Sequence, residues 1–245
     1  MMPTIQTAID LHRQGRLREA ETQYRSLLAK HPRQFELLHL LGTLKLQEGN
    51  FPEATTLLSR AIETNPSSND TRSNLVAALL NMGRAAEALE HCDRILAGGP
   101  VDAGAHYNRG VALAGLGRHE EALTSLDKAL AIKPDHVNAL FNRAGVLAAL
   151  RRHEDAIAAL DKILSFIPGH PDALTNRGTM LAQLGRNVEA LASFDRALAS
   201  APQHVNALTN RGIALKRLLR FEEALVRSEE RRVGKECRSR WSPYQ

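Results

Sequence analysis

Five asparagines, Asn74, Asn108, Asn142, Asn176 and Asn210, stand 34 residues apart. A carboxamide is both donor and acceptor, so each can pair with the N–H and C=O of another chain's backbone without reading that chain's side chains. Repetition turns this chemistry into a ladder. Helices packed about 8–10 Å apart would set one amide against roughly every third residue of an extended peptide advancing about 3.3–3.6 Å per residue. Gln6 and Leu40 occupy the same column upstream.

A second constellation is ionic. Arg109, Arg143, Arg177 and Arg211 are preceded, 16 residues earlier, by Asp93, Asp127, Asp161 and Asp195. Where the arginine gives way to Leu41 and Leu75, the earlier residues are Arg25 and Ser59. Because the two types change together, the spacing predicts that each aspartate pairs with the arginine of the following element, with bidentate geometry open to the pair. Its chemistry is that of a stacking device.

Other reactive residue types lead nowhere catalytic. The chain has ten histidines, but His136, His170 and His204 share one column, as do His119 and His153, and repetition separates them in space. With no His-x-x-x-His pair and no Cys-x-x-Cys, no metal site is expected. There is no phosphate loop, no nucleophile elbow and no strand pattern for a dinucleotide turn, so neither a cofactor nor catalytic residues are expected. Cys92 shares a column with Tyr24, Leu58, Leu126 and Phe194, which reads as a small buried hydrophobe.

The elements that would position these columns are helices. Aromatic residues are only 4% of the chain while hydrophobic residues are 43%, a composition suited to helices packed through alanine and leucine. The rows run 1–34, 35–68, 69–102, 103–136, 137–170, 171–204 and an incomplete 205–226. Ala20, Ala54, Ala88, Ala122, Ala156, Ala190 and Ala224 form a column without exception. Pro32, Pro66, Pro100, Pro134, Pro168 and Pro202 form another, broken at Glu236. Each row reads as two helices. In the fourth, a helix near Ala103 to Leu116 places His106, Gly110 and Leu113 on one stripe, and Gly117 ends it. A second, near His119 to Ile132, opens on Glu120 and Glu121, buries Ala122, Leu126, Ala129 and Leu130, and is stopped by Pro134. The alanine column marks a close helix approach that admits only a small side chain. By direction around the first helix, Asn108 lies opposite the buried stripe.

These columns resemble the tetratricopeptide repeat, a 34-residue helix-turn-helix unit with a small residue in the first helix (Ala8, Gly42, Gly110, Ala144, Gly178, Gly212), the alanine column and terminal prolines. Departures are Val76 at the small position and Arg151 and Leu219 at the turn glycine, where strain or another turn shape is expected. The resemblance implies an all-α, right-handed α-solenoid whose first helices line a concave face. Stability would come from stacking, since no single row buries its apolar stripe alone. That face would carry the asparagines together with Tyr107, Phe141, Thr175 and Thr209, and with Val111, Gly145, Thr179 and Ile213. The asparagine column is similar to that in the tetratricopeptide arm of O-linked N-acetylglucosamine transferases.

The implied function is a scaffold that binds an extended peptide or partner protein in that groove. The alternative is the recruiting arm of a glycosyltransferase of that kind whose catalytic region lies elsewhere. Few groove positions are charged, which argues against the basic clamp that grips the acidic tails of heat-shock chaperones. Of the net charge of +5, more than half falls in residues 227–245, with six basic groups against three acidic, so nucleic acid is not an expected partner. That segment breaks the pattern at Ser228, Arg231 and Arg232. Two readings stand for it: sequence foreign to the protein, or a disordered basic tail. The array shows no polar capping helix, which predicts a longer native chain. No membrane span or export signal is read, and two cysteines make no disulfide framework, so a cytoplasmic location is expected.

Overall fold

A computed structural model describes residues 4–98 and 102–219. Those residues are helical throughout, with short turns. The first six helices are α1 (Ile5–Arg13), α2 (Leu17–Lys30), α3 (Phe35–Gln47), α4 (Phe51–Thr64), α5 (Asn69–Asn81) and α6 (Ala85–Gly98). They are followed by α7 (Ala103–Gly115), α8 (His119–Ile132), α9 (Val137–Ala149), α10 (His153–Phe166), α11 (Pro171–Gln183) and α12 (Asn187–Ser200). Residues 205–219 are also helical. Pro100, Ala224 and the tail at 227–245 lie outside the described residues.

Two compact units are formed, one up to residue 146 and one from residue 147. Within the first, each helix packs on the next from α1 to α8; within the second, α10 packs on α11 and α11 on α12. The reason is visible in α7, which buries Gly110 and Leu113 on one side and Ala105 and Ala112 on another. A helix apolar on two sides needs a neighbour for each, so a lone pair would leave one stripe in water.

Turn chemistry sets the boundaries. Gly117 has φ +73°, and the Arg118 N–H returns to the Leu113 carbonyl at 2.9 Å, closing α7 with a left-handed cap. Arg151 adopts the same conformation at φ +60°, with the Arg152 N–H bonded to Leu147 at 2.8 Å. The turn keeps its shape without glycine and carries the strain, about 1–2 kcal/mol for a residue with a Cβ. Leu219, the other departure, is still within helix.

In α8 the first turn holds Arg118, whose Nε and Nη2 each donate to Glu121 at 2.7 Å. The helix buries Ala122, Leu123, Ser125, Leu126 and Ala129. Leu130 is only half-buried, a correction to the expected stripe: the buried arc is centred one position towards Leu123. The alanines Ala20, Ala54, Ala88, Ala122, Ala156 and Ala190 are all 0% exposed, as a close helix approach requires.

A second column shows complementary volumes. A methyl placed on Gly42 or Gly110 would lie 2.7 Å from the Cγ of Leu58 or Leu126, and one on Gly178 would lie 2.5 Å from the Phe194 ring. Sixteen residues separate each glycine from its large partner. In the third row the order is reversed, with Val76 and Cys92 at the same two positions and both 0% exposed.

Candidate functional site

The asparagines sit mid-helix on the first helix of rows three to seven, at Asn74 in α5, Asn108 in α7, Asn142 in α9, Asn176 in α11 and Asn210 in the helix at 205–219. Asn176 is exposed and the other four are half-buried. Three carboxamides are already held by the chain. Asn74 donates to the Thr43 hydroxyl at 3.0 Å and Asn210 to the Thr179 hydroxyl at 3.1 Å. Asn142 donates to the Asn138 carbonyl at 2.9 Å and towards the Tyr107 hydroxyl at 3.4 Å.

These bonds fix which end of the amide faces out. The Asn138 carbonyl can only accept, so Asn142 must turn its NH₂ towards it. Thr179 spends its one proton on the Thr175 carbonyl at 2.9 Å, so it too can only accept, and Asn210 is held the same way round. Both leave Oδ1 as the open acceptor. Asn108 and Asn176 form no side-chain hydrogen bond among the described residues and keep their whole inventory for another molecule.

The neighbouring column differs from row to row. Tyr107 stacks on His136 with ring centroids 4.9 Å apart, and burial raises its hydroxyl pKa despite the Asn142 contact. Phe141 is half-buried. Thr175 is 3% exposed and donates to the Pro171 carbonyl at 2.8 Å, while the exposed Thr209 donates to Val205 at 3.0 Å. Those two hydroxyl protons are spent on their own helices. Gly145 faces open space, since a methyl there would meet nothing within 4 Å.

The aspartate and arginine columns meet. Nε of Arg109, Arg143, Arg177 and Arg211 donates to Oδ1 of Asp93, Asp127, Asp161 and Asp195 at 2.7, 2.7, 2.6 and 2.6 Å. Each contact is single, not bidentate, and in two of the four arginines Nη1 is engaged elsewhere. Nη1 of Arg109 donates to Ser125 and Nη1 of Arg177 to Ser193, each at 2.8 Å. One arginine on α7 therefore ties α6 to α8, and one on α11 ties α10 to α12. The serines sit 16 residues after their arginines, a signal the sequence holds but pair spacing alone does not raise. The aspartates are about half exposed, so each pair is worth little by itself. A double-mutant cycle on Asp127 and Arg143 is expected to return a coupling of about 0.3–1 kcal/mol. No coupling in urea denaturation would make them independent surface charges.

Two buried cations were missed. Lys45 is 5% and Arg72 6% exposed, each in a column that holds mostly leucine: Leu11, Leu79, Leu113, Leu147 and Leu181 for the first, Leu38, Leu140 and Leu174, with Thr4 and His106, for the second. Lys45 is paired with Glu21 at 2.5 Å and Glu48 at 2.8 Å. Burial lowers its pKa, but those carboxylates outweigh it and the net shift is upward. Among the described residues Arg72 donates to the Pro66 carbonyl alone, and its Nε and Nη1 are buried without partners. Cys92 is fully buried, which pushes its thiol up to about 12 with Asp93 assisting. His136 and His204 accept at Nδ1 from the N–H of Ala139 and Ala207 at 3.3 and 3.2 Å, so they serve as helix caps. Among the described residues, no three His, Cys, Asp or Glu side chains converge as a metal site would require.

No curated protein matches the chain by sequence. Its fold is shared with PilW, described as a widely conserved type IV pilus biogenesis factor (TM-score 0.75, 21% identity, covering 83% of this chain and 94% of that one). It is shared too with a tetratricopeptide repeat protein from Parabacteroides merdae ATCC 43184 (TM-score 0.73, 21% identity, 90% and 86% covered). YrrB, described as a TPR protein with an unusual peptide-binding site, aligns with a TM-score of 0.62 at 20% identity over 77% of this chain and 97% of its own. Identities this low carry the fold alone. Sequence carries the family: Tetratricopeptide repeat signatures match residues 11–69 and, overlapping one another, 74–137, 107–171, 163–205 and 175–231. With helix pairs in the 34-residue phase of its columns and family matches over most of its length, the chain belongs to the tetratricopeptide repeat family.

Proposed function

We propose that the chain is a non-catalytic scaffold that holds an extended peptide segment of a partner protein against the asparagine-bearing face of its first helices. The observation that carries this reading is the state of the carboxamides. Asn108 and Asn176 have their full hydrogen-bonding capacity free among the described residues, and Asn142 and Asn210 are locked with an acceptor outwards. Amides on a merely soluble surface need no such orientation. Around Asn108 and Asn142 lie Tyr107, Val111, Phe141 and Gly145, an uncharged surface that suits neither an acidic chaperone tail nor nucleic acid. YrrB, of the same fold, is named for a peptide-binding site. No described helix is long and apolar enough to cross a membrane, and the cysteine pattern favours work in the cytoplasm.

The test uses two asparagines of one unit. A partner is captured from the source cells, its contacting segment is mapped with overlapping peptides, and the Kd is measured by fluorescence anisotropy. Each lost hydrogen bond is worth about 0.5–1.5 kcal/mol, so Asn108→Ala with Asn142→Ala is expected to weaken the segment about 5- to 150-fold with the helical signal unchanged. Equal affinity of parent and variant for every captured segment would overturn the reading.

A further inference from the structure

The second unit carries a side-chain cavity on the asparagine-bearing face. It has a volume of about 110 Å³ and is lined by Thr179, Ala182, Asn210, Ile213, Ala214 and Arg217, with the Phe194 ring beneath. Position 214 is alanine, as at Ala78 and Ala112 in the same column, where the preceding two rows hold the larger Val146 and Met180. A cavity of about 150 Å³ accepts benzene, so this one suits a branched aliphatic side chain and is too small for an aromatic ring.

Its rim is polar and one-sided. Asn210 offers only Oδ1 and a remaining N–H, since its other N–H goes to Thr179. The Arg217 guanidinium is drawn across the edge by the bond from Nη1 to the Ala182 carbonyl at 3.1 Å. That carbonyl leaves the positive charge unneutralised, and Arg217 forms no ion pair among the described residues. At the corresponding position, Gln183 lies on the opposite side of the same cavity. A rim with a cation and amides but no carboxylate complements a negative group on the occupant.

Resting on the peptide-groove reading above, we propose that this cavity is a specificity pocket for a partner residue of leucine or valine type followed directly by an acidic residue. The aliphatic side chain enters between Ala182, Ile213 and Ala214. The adjoining carboxylate accepts from Arg217, and a backbone N–H of the same segment donates to Asn210 Oδ1. One carboxylate suffices, so the pocket is distinct from a clamp for a run of acids.

Blocked dipeptides test it on the whole ¹⁵N-labelled chain by two-dimensional NMR. N-acetyl-Leu-Glu-amide is expected to give saturable shifts at the amides of Thr179, Ile213 and Arg217. N-acetyl-Leu-Gln-amide should bind at least about 3-fold more weakly, and N-acetyl-Ala-Glu-amide should not saturate. Ala214→Leu fills the cavity with a side chain of the size its column already carries, and should abolish the shifts with helicity intact. Arg217→Gln should make the Glu and Gln probes equivalent. Shifts of equal affinity for all probes, or shifts surviving Ala214→Leu, overturn the pocket, as does the absence of saturable shifts with the Leu-Glu probe. Failure of the pocket alone leaves the loss of affinity in Asn108→Ala with Asn142→Ala untouched, because those residues lie in the other unit. If leucyl probes bind here while that variant retains its partner, the pocket stands and the ladder falls.

Discussion

Arg72→Leu is expected to stabilise the chain by about 1–4 kcal/mol, seen as a higher urea midpoint. The guanidinium is 6% exposed, and two of its three nitrogens have no hydrogen-bond partner. Burial and the like charge of Arg94 hold its pKa below the ordinary guanidinium value. His91 beside it is likewise made less basic by burial, Arg72 and Arg94, with Glu90 and Glu87 opposing. Among the described residues no carboxylate pairs with Arg72, so the desolvation cost is met there by one carbonyl. Leucine is what Leu38, Leu140 and Leu174 supply at the same column, and its burial with the release of two stranded donors outweighs the lost charge-assisted bond to Pro66, worth about 1.5–3 kcal/mol. Lys45→Leu is the control. Lys45 has two carboxylates, and removing it strands them, so no comparable gain is expected. A midpoint for Arg72→Leu at or below that of the parent would show that the guanidinium is satisfied in solution.

Cys92→Leu is expected to cost about 1–3 kcal/mol by overpacking, although leucine is the residue at the matching positions Leu58 and Leu126. There the facing residue is Gly42 or Gly110, whose missing methyl leaves the space that leucine fills. Here it is Val76, and both members of the pair are fully buried. Val76→Ala in the Cys92→Leu background should recover most of the loss, while Val76→Ala alone opens a gap and destabilises. A double-mutant cycle in urea reads the coupling directly. Additive effects would mean that the two side chains do not share the same space.

Much of the fold was legible because a 34-residue phase repeats each local decision. Ala122 and its column announce a helix approach too close for a larger side chain, and Pro134 after Ile132 allows one end to the helix. The bounds of α8 follow from those residues alone. Leu130 was misplaced because helical periodicity gives the direction of a stripe but not the width of the neighbour that covers it. Arg72 and Lys45 are not legible from polar columns because each stands as an isolated cation in a largely apolar one. Columns read for volume as well as polarity would have exposed them, together with the exchange of size between Val76 and Cys92.

The asparagine face shows the limit most clearly. Spacing alone puts Asn74, Asn108, Asn142, Asn176 and Asn210 on the first helices, and the likeness of that column to a glycosyltransferase arm remains a resemblance of one column. Which amides are free is set elsewhere, by whether a threonine stands 31 residues earlier, as at Thr43 and Thr179, and by whether a carbonyl such as that of Asn138 captures the NH₂.

The sequence by itself determined the helix-turn-helix unit, its phase, the residues that must be small and the faces that must be covered, because these depend on contacts within a helix or on a column repeated in every row. Only the tertiary structure decided that Arg109 bonds both Asp93 and Ser125, that Arg72 is buried with no counter-charge among the described residues and that Ala214 lies at a cavity beside Arg217. Each depends on what the neighbouring helix presents at one point in space, and a column averages that information away.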